Sequence, residues 1–317
     1  MTTPIELSDP VYHDEDAARR HVESIRWPHG VTCPHCGVVK EGIRPLAGKS
    51  MGPGWYYCTS CKDKFTVRMG TIYERSHLPL HKWLLAFRLM ASSKKGFSAH
   101  QLSRTLNVTY KTAWFVAHRI REAMADHDPE PLGGKDQIVE IDETFQGPSD
   151  AQFVNGKGWQ KKRGASSKRK IVSLVERGGR AKSVKVEDLT VKTLRKVILP
   201  HVVSDSTINT DEAQHYKEIG KLFDAHESVN HSQGEYARGK ASTNHVEGFF
   251  SIFKRGMIGT YQHCSDKHLQ RYLHEFDFRY SNRVALGVDD SNRTSRAIAG
   301  ANGKRLTYRR INSGEAA

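Results

Sequence analysis

Residues 137–147 read QIVEIDETFQG. Apolar Val139, Ile141 and Phe145 alternate with Glu140, Asp142 and Thr144, the period-two pattern of a strand with one buried face. Asp142 stands in the middle of it. A carboxylate on a sheet face is costly unless it is paired or holds a metal. The strand therefore poses two questions: which sheet it starts, and what its Asp meets.

The residues that follow address the sheet. "KRKIVSLVERGG" and "RAKSVKVEDL" predict two more strands, turned at Gly178 and Gly179. "TVKTLRKVILPHV" predicts a helix. "STINTDEAQHY" predicts a short strand ending at Asp211, then a helix from about Ala213 to Phe223; "AHESVNHS" predicts a fifth strand. "STNHVEGFFSIFKRG", residues 242–256, predicts an amphipathic helix. Three strands in an antiparallel meander, followed by crossover helices to parallel strands, make an α/β fold.

In such a sheet the first and fourth strands can be neighbours, and Asp142 and Asp211 could share a metal. A helix crossing the sheet face could add Glu247. Three convergent carboxylates can hold two divalent cations about 3.5–4 Å apart, the clamp for in-line displacement at phosphorus. Hard oxygen ligands suit Mg²⁺ or Mn²⁺ rather than zinc. Asn244, three residues before Glu247, shares its helix face, and Lys254 lies two turns beyond. The plainer reading is a Glu favoured near a helix N-terminus and a solvated Lys. Glu140 shares the Asp142 face as a supporting group, whereas Glu143 and Glu212 point away from their Asp neighbours. His215, His231 and His245 read as hydrogen-bonding residues, and Cys264 as a buried thiol.

Upstream, Cys33 and Cys36 lie in "CPHCG", and Cys58 and Cys61 in "CTSC". Two C-x-x-C pairs at this separation are ligand spacing for one tetrahedral Zn²⁺. A shell closed by four sulfurs is structural, which leaves His35 outside it. Next, Leu84, Leu85, Phe87, Leu89 and Met90 predict a buried helix. Ser98 and Gln101 form a capping box before a short helix ending near Leu106, "NVT" is a turn, and a second helix runs from about Tyr110 to Met124. This is the helix-turn-helix order, with Tyr110, Lys111 and Thr112 where base contacts are made; an ordinary helical hairpin has the same pattern. The stretch 158–170, "GWQKKRGASSKRK", is basic with no acidic residue. It predicts a mobile loop or hairpin whose Lys161, Lys162 and Arg163 track a DNA backbone.

The chain has 317 residues and 37% apolar content, enough for two or three domains with ordinary cores. Lys and Arg number 49 against 35 Asp and Glu, a net charge of +14 that favours a polyanionic partner. The N-terminus has no secretion signal, no apolar run reaches membrane length, and five Cys are too few for a disulfide scaffold. The expected setting is cytoplasmic and reducing, alongside the nucleoid, with no membrane partner.

The chain resembles the DDE-type transposases of bacterial insertion sequences, specifically the fifteen-ninety-five (ISXO-two-like) family. The resemblance spans almost the whole length and is carried by "CPHCG", "FTVRMGTIYERSHLPLHKWL", "NVTYKTAW", "IDETF", "TDEAQHY", "TNHVEGFFSIFKRG" and "HLQRYLHEFDFRY". It implies a zinc ribbon with an N-terminal helix over 1–75 and a helix-turn-helix region over 76–130. An RNase H-like catalytic core over 136–260 and a basic, mostly helical C-terminal part over 261–317 would follow. It also implies cutting and joining of double-stranded DNA at the element's inverted repeats, by a homo-oligomer that pairs two ends. The family pattern runs Asp, Asp, then Asn or Glu, then Lys. Asp142, Asp211 and Lys254 match it, and both Asn244 and Glu247 are present at the third position. Charge favours Glu247 as the ligand, leaving Asn244 to ligate, cap the helix or hold a phosphate. The rival readings are a nuclease that cuts without joining and a DNA-binding regulator with an inactive catalytic domain.

Overall fold

The computed structural model describes residues 6–46, 48, 51–147, 151–154, 156, 158–161 and 168–307. In chain order its elements are α1 (Glu15–Arg26), β1 (Ile43–Pro45), β2 (Trp55–Cys58), β3 (Lys64–Thr66), α2 (Leu80–Ser92), α3 (Ala99–Leu106) and α4 (Tyr110–Met124). Then come β4 (Ile138–Gln146), β5 (Ala151–Val154), β6 (Gly158–Lys161), β7 (Arg169–Glu176), β8 (Ala181–Val186), α5 (Val191–Ile198), β9 (Thr207–Thr210) and α6 (Gln214–Gly220). The last are β10 (Ala225–Ser228), β11 (Ala237–Arg238), β12 (Ala241–Ser242), α7 (Asn244–Gly256), α8 (Leu269–Ser281) and α9 (Asp290–Ala299). They form two compact units. One is Met1–Ser92 with Ala99–Met124 and Asp290–Ala317; the other is Ser93–Ser98 with Ala125–Asp289. Among the described residues no helix is long and apolar enough to cross a membrane.

The first unit opens with α1, whose N-cap Asp14 accepts from Ala17 N at 2.7 Å. The strands β1-β2-β3 form an antiparallel sheet. Too small for a core of its own, that sheet packs Tyr56 and Phe65 as a stacked pair, with Trp27 edge-on to both. Helix α2 buries Trp83, Leu84, Phe87, Met90 and Ala91 at helical spacing; Leu85 and Leu89 are only partly buried. In α4 the inner face is Ala113, Val116, Ala117 and Ile120. Thr109 begins that helix by accepting Thr112 N at 3.2 Å. The chain reverses between α3 and α4 at Asn107, whose φ of 51° is left-handed. The last described residues return to this unit. Arg293, Thr294, Ala297 and Ile298 of α9 are buried, and Ile72 N donates to Ala301 O at 3.3 Å. Of the C-terminal part read over 261–317, α8 lies in the second unit against β8 and α9 in the first with α2.

The second unit is built on a five-stranded sheet, order β10-β9-β4-β7-β8. Strands β4, β7 and β8 form the antiparallel meander; β9 lies parallel to β4, and β10 parallel to β9. Strand alternation sends neighbouring residues to two separate cores. Val139, Ile141, Val172, Leu174 and Ile208 pack with Leu194 and Ile198 of α5 and Tyr216 and Ile219 of α6. Ile171 and Val175 pack on the other face with Val246, Phe249, Phe250 and Phe253 of α7 and Leu273 and Phe276 of α8. The i, i+3, i+4, i+7 spacing of those four α7 residues makes a single apolar stripe, each Phe contributing about 1.5–3 kcal/mol on burial. The hairpin of β5 with β6 enters the basic stretch read as a loop or hairpin, and Arg169 and Lys170 begin β7 within the strand that "KRKIVSLVERGG" predicts; the short strands β1–β3, β11 and β12 were not foreseen.

Helix α8 is held to β8 by a buried carboxylate. Asp277 accepts from Ser183 N at 2.8 Å and from Ser183 Oγ at 2.7 Å. Burial pushes its carboxyl up to about 7 from an ordinary 3.8, against those two hydrogen bonds. Between these values the folded chain keeps a proton that the unfolded chain has released. The stabilisation is therefore complete at the acid end and is lost as pH rises through about 7. Asp277→Asn is expected to flatten that loss, worth a few kcal/mol across the window. Denaturant unfolding of both proteins over the pH range measures it, and parallel slopes would sink the assignment.

Candidate active site

Asp142 sits on β4, and Asp211 follows β9 directly. The two strands are in parallel register up to Glu140↔Asn209. Asp142 and Asp211 each lie two residues beyond that last pair, at the carboxyl end of adjacent strands where the ladder stops. Asp142 accepts from Glu143 N at 2.7 Å, and Asp211 from Ala213 N at 3.0 Å in a local turn. Glu247 lies in the first turn of α7, on the sheet face that also carries Glu140. Its Oε1 accepts from Thr243 Oγ1 at 3.0 Å and lies 3.4 Å from His231 Nε2.

The electrostatics tie these groups together. Burial pushes the Asp142 carboxyl up to about 7. The N–H of Glu143 opposes that rise, and the charges of Glu143, Asp211 and Glu247 add to it. Among the described residues neither Asp142 nor Asp211 has an ion-pair partner. Glu143 projects to the opposite face, where Tyr216 Oη donates to it at 2.6 Å and His215 Nε2 lies 3.7 Å away. Burial raises its carboxyl, Tyr216 lowers it, and Asp211 raises it again. Glu212 is turned to Ser232, whose hydroxyl with the N–H groups of His231 and Ser232 holds it near 2.

Asp142, Asp211 and Glu247 thus form a concentration of negative charge of hard oxygen donors. Their oxygens do not converge as tightly as the cysteine sulfurs described below. A site for two ions spreads its carboxylates over both, so a wide set is compatible with it. Asn244 and Lys254 are exposed on α7, as Glu247 is. Glu140, by contrast, is fully buried: it pairs with Arg177 at 2.7 Å and accepts from the N–H groups of His245 and Val246. Its spacing from Asp142 was visible in the sequence; Arg177, Thr243 and His231 had no signal beyond proximity to a motif.

In the other unit, ligand atoms of Cys33, Cys36, Cys58 and Cys61 all lie within 4.8 Å of one another, the one such His/Cys/Asp/Glu group among the described residues. Sγ–Sγ separations are 3.7 Å for Cys33–Cys61 and 3.6 Å for Cys36–Cys58. A tetrahedron with Zn–S bonds of about 2.3 Å has edges of about 3.8 Å, so the sulfurs fit a structural Zn²⁺. The two knuckles are alike: Cys33 N donates to Val38 O and Cys58 N to Asp63 O, both at 2.9 Å. Gly37 and Lys62, each four residues after the first Cys of its pair, have left-handed φ of 79° and 58°. N–H groups of Cys61 and Ser60 bring the Cys58 thiol down to about 6, which favours the thiolate a metal needs.

Of the residues expected to touch DNA, Tyr110 begins α4, is 47% exposed, and stacks on His100 of α3 with ring centroids 4.4 Å apart. Lys111 is exposed beside it. Thr112 is engaged by Thr109, hydroxyl to hydroxyl at 2.9 Å. Lys161 ends β6, and Lys162 and Arg163 lie outside the described residues.

Known proteins share both parts of this arrangement. Residues 131–281 match the ISXO2-like transposase domain, and residues 13–64 match the transposase zinc-ribbon domain. A curated relative from Halobacterium salinarum, described as an uncharacterized protein in transposable element ISH50, is 28% identical over 283 residues. That alignment covers 84% of this chain and 90% of the relative. The chain thus carries, in order, the zinc-ribbon and the ISXO2-like transposase domains found in insertion-sequence transposases.

Proposed function

We propose that the chain binds the terminal inverted repeats of its insertion sequence and cuts and joins DNA there, on an RNase H-like core, through Asp142, Asp211 and Glu247. The observation that carries this reading is the placement of Asp142 and Asp211 at the ends of the adjacent parallel strands β4 and β9, with Glu247 in the first turn of α7 and no ion-pair partner for either Asp among the described residues. Such a set is stabilised by divalent cations. Mg²⁺ or Mn²⁺, bound there, supplies activation of a water or 3′-hydroxyl and neutralises charge on the leaving oxygen. Asp142 and Asp211 furnish oxygens from adjacent strand ends, and Glu247 furnishes a third from the first turn of α7. Lys254, on the exposed side of the same helix, meets a phosphate as a point charge. Asn244 stands one turn before Glu247 and holds a phosphate or supports the helix start.

The antiparallel meander with a parallel strand on its first edge, and helices on both faces, supports the RNase H-like reading. The first unit supplies end recognition. Its α3 and α4 act as a helix-turn-helix that presents Tyr110, Lys111 and Thr112 to the double helix, with the ribbon's Zn²⁺ as a structural staple. Lys161, Lys162 and Arg163 add phosphate contacts. A homo-oligomer on DNA pairs two element ends. Incubation of the full chain with labelled repeat ends, an unlabelled target and Mg²⁺ tests the function, and joined product is the expected result. Nicks without joined product mean a nuclease; binding alone means a regulator.

A further inference from the structure

Helix α7 starts without help from its own N-cap. Thr243 makes no side-chain cap hydrogen bond; its hydroxyl goes to Glu247 instead. The N–H groups of His245 and Val246 would then be unsatisfied, and Val246 is fully buried. They are satisfied from a strand about a hundred residues earlier. Glu140 Oε2 accepts His245 N at 2.7 Å and Val246 N at 3.1 Å. Its Oε1 accepts His245 Nδ1 at 2.9 Å and a two-nitrogen fork from Arg177, Nε at 3.1 Å and Nη2 at 2.7 Å. Arg177 in turn donates to Ser242 Oγ at 2.9 Å and Lys240 O at 3.0 Å. Strand β4, the β7–β8 turn and the approach to α7 thus meet at one carboxylate.

We propose that Glu140 is a positioning residue: as a cap for α7 supplied by β4, it fixes Glu247 relative to Asp142. This rests on the reading of Asp142, Asp211 and Glu247 as the divalent-cation set. The geometry has two consequences for that set. Glu140 and Asp142 are two residues apart on one face of one strand, so a helix fastened to the first is placed relative to the second. Because Glu140 takes over capping, the Thr243 hydroxyl is released to orient the Glu247 carboxylate. A fully buried carboxylate is tolerated here only because each oxygen is saturated by donors. In Glu140→Gln one of the two donor groups faces an amide NH₂, so either Arg177 or the helix start loses its acceptor. Arg177→Lys keeps a charge but loses the fork.

The test uses the full chain without DNA and two readouts: Mn²⁺ affinity by calorimetry and amide exchange along α7, with Asp142→Asn as the standard. Glu140→Gln is expected to weaken Mn²⁺ binding by about tenfold or more, the usual range for a residue that orients a metal ligand. Exchange should rise at residues 245–248 while β7 and α8 stay protected. Arg177→Lys should move both readouts the same way by less, and it carries the decision if Glu140→Gln does not fold. Faster exchange with unchanged Mn²⁺ affinity, while Asp142→Asn binds weakly, overturns the positioning role and leaves Glu140 a merely stabilising cap. If Asp142→Asn binds Mn²⁺ as the wild type does, the metal-binding set itself is wrong, and the proposal falls with it.

Discussion

Glu247→Gln is expected to keep end binding and lose end cleavage. The side chain is 44% exposed and its hydrogen bond from Thr243 can be made to an amide oxygen, so folding should be little changed. What disappears is the negative charge that acts on Asp142. A carboxylate removed from a two-ion site costs several kcal/mol of transition-state stabilisation, and each ~1.4 kcal/mol is tenfold in rate. Cleavage should fall by at least about a hundredfold. Asn244 is exposed at the helix start, and Asn244→Ala should cost only about 1 kcal/mol, the scale of a helix-terminal polar contact. Single-turnover cleavage of a labelled repeat end, with Asp142→Asn as the inactive standard, separates the two. A dead Asn244→Ala beside an active Glu247→Gln would give the third ligand position to Asn244.

The second large effect is expected from Cys58→Ser. Structural Zn²⁺ held by thiolates contributes an apparent 10–16 kcal/mol or so in small zinc domains, and the ribbon has only three short strands and a few aromatic contacts besides. The variant should lose its zinc, melt the ribbon and lose end-specific gel shift. The two cores around β4 and β7 contain no ribbon residue, so the second unit should keep its circular dichroism and its thermal transition. Retained end binding in a zinc-free variant would remove the ribbon from recognition.

Much of the sheet could be read locally. Alternation along 138–146 marks β4, and the Gly178-Gly179 turn marks the meander, because strand period and turn chemistry are properties of a few adjacent residues. Helix α4 runs from Tyr110 to Met124 as its apolar spacing predicts. The adjacency of β4 and β9 follows from crossover topology, which places the two Asp residues at neighbouring strand ends. What escaped was set by distant partners. Leu85 and Leu89 look like core residues, yet α2 turns Trp83, Phe87 and Met90 inward. Glu140 reads as a supporting group beside Asp142, but the partners it holds, Arg177 and the start of α7, come to it only in the fold. The ribbon strands are three or four residues each, too short for a period to emerge.

The return of α9 to the first unit has a consequence for the order in which a nascent chain can mature. Everything the second unit needs has been synthesised by residue 289, whereas α2 and Ile72 wait for Ala297, Ile298 and Ala301. The amino-terminal unit begins first and closes last. Until then the part of α2 that packs with α9 stays open to solvent or to chaperones. An expression fragment ending near residue 130 would keep that part permanently bare and should be aggregation-prone. A fragment rejoined to 290–307 through a short linker should stay monodisperse.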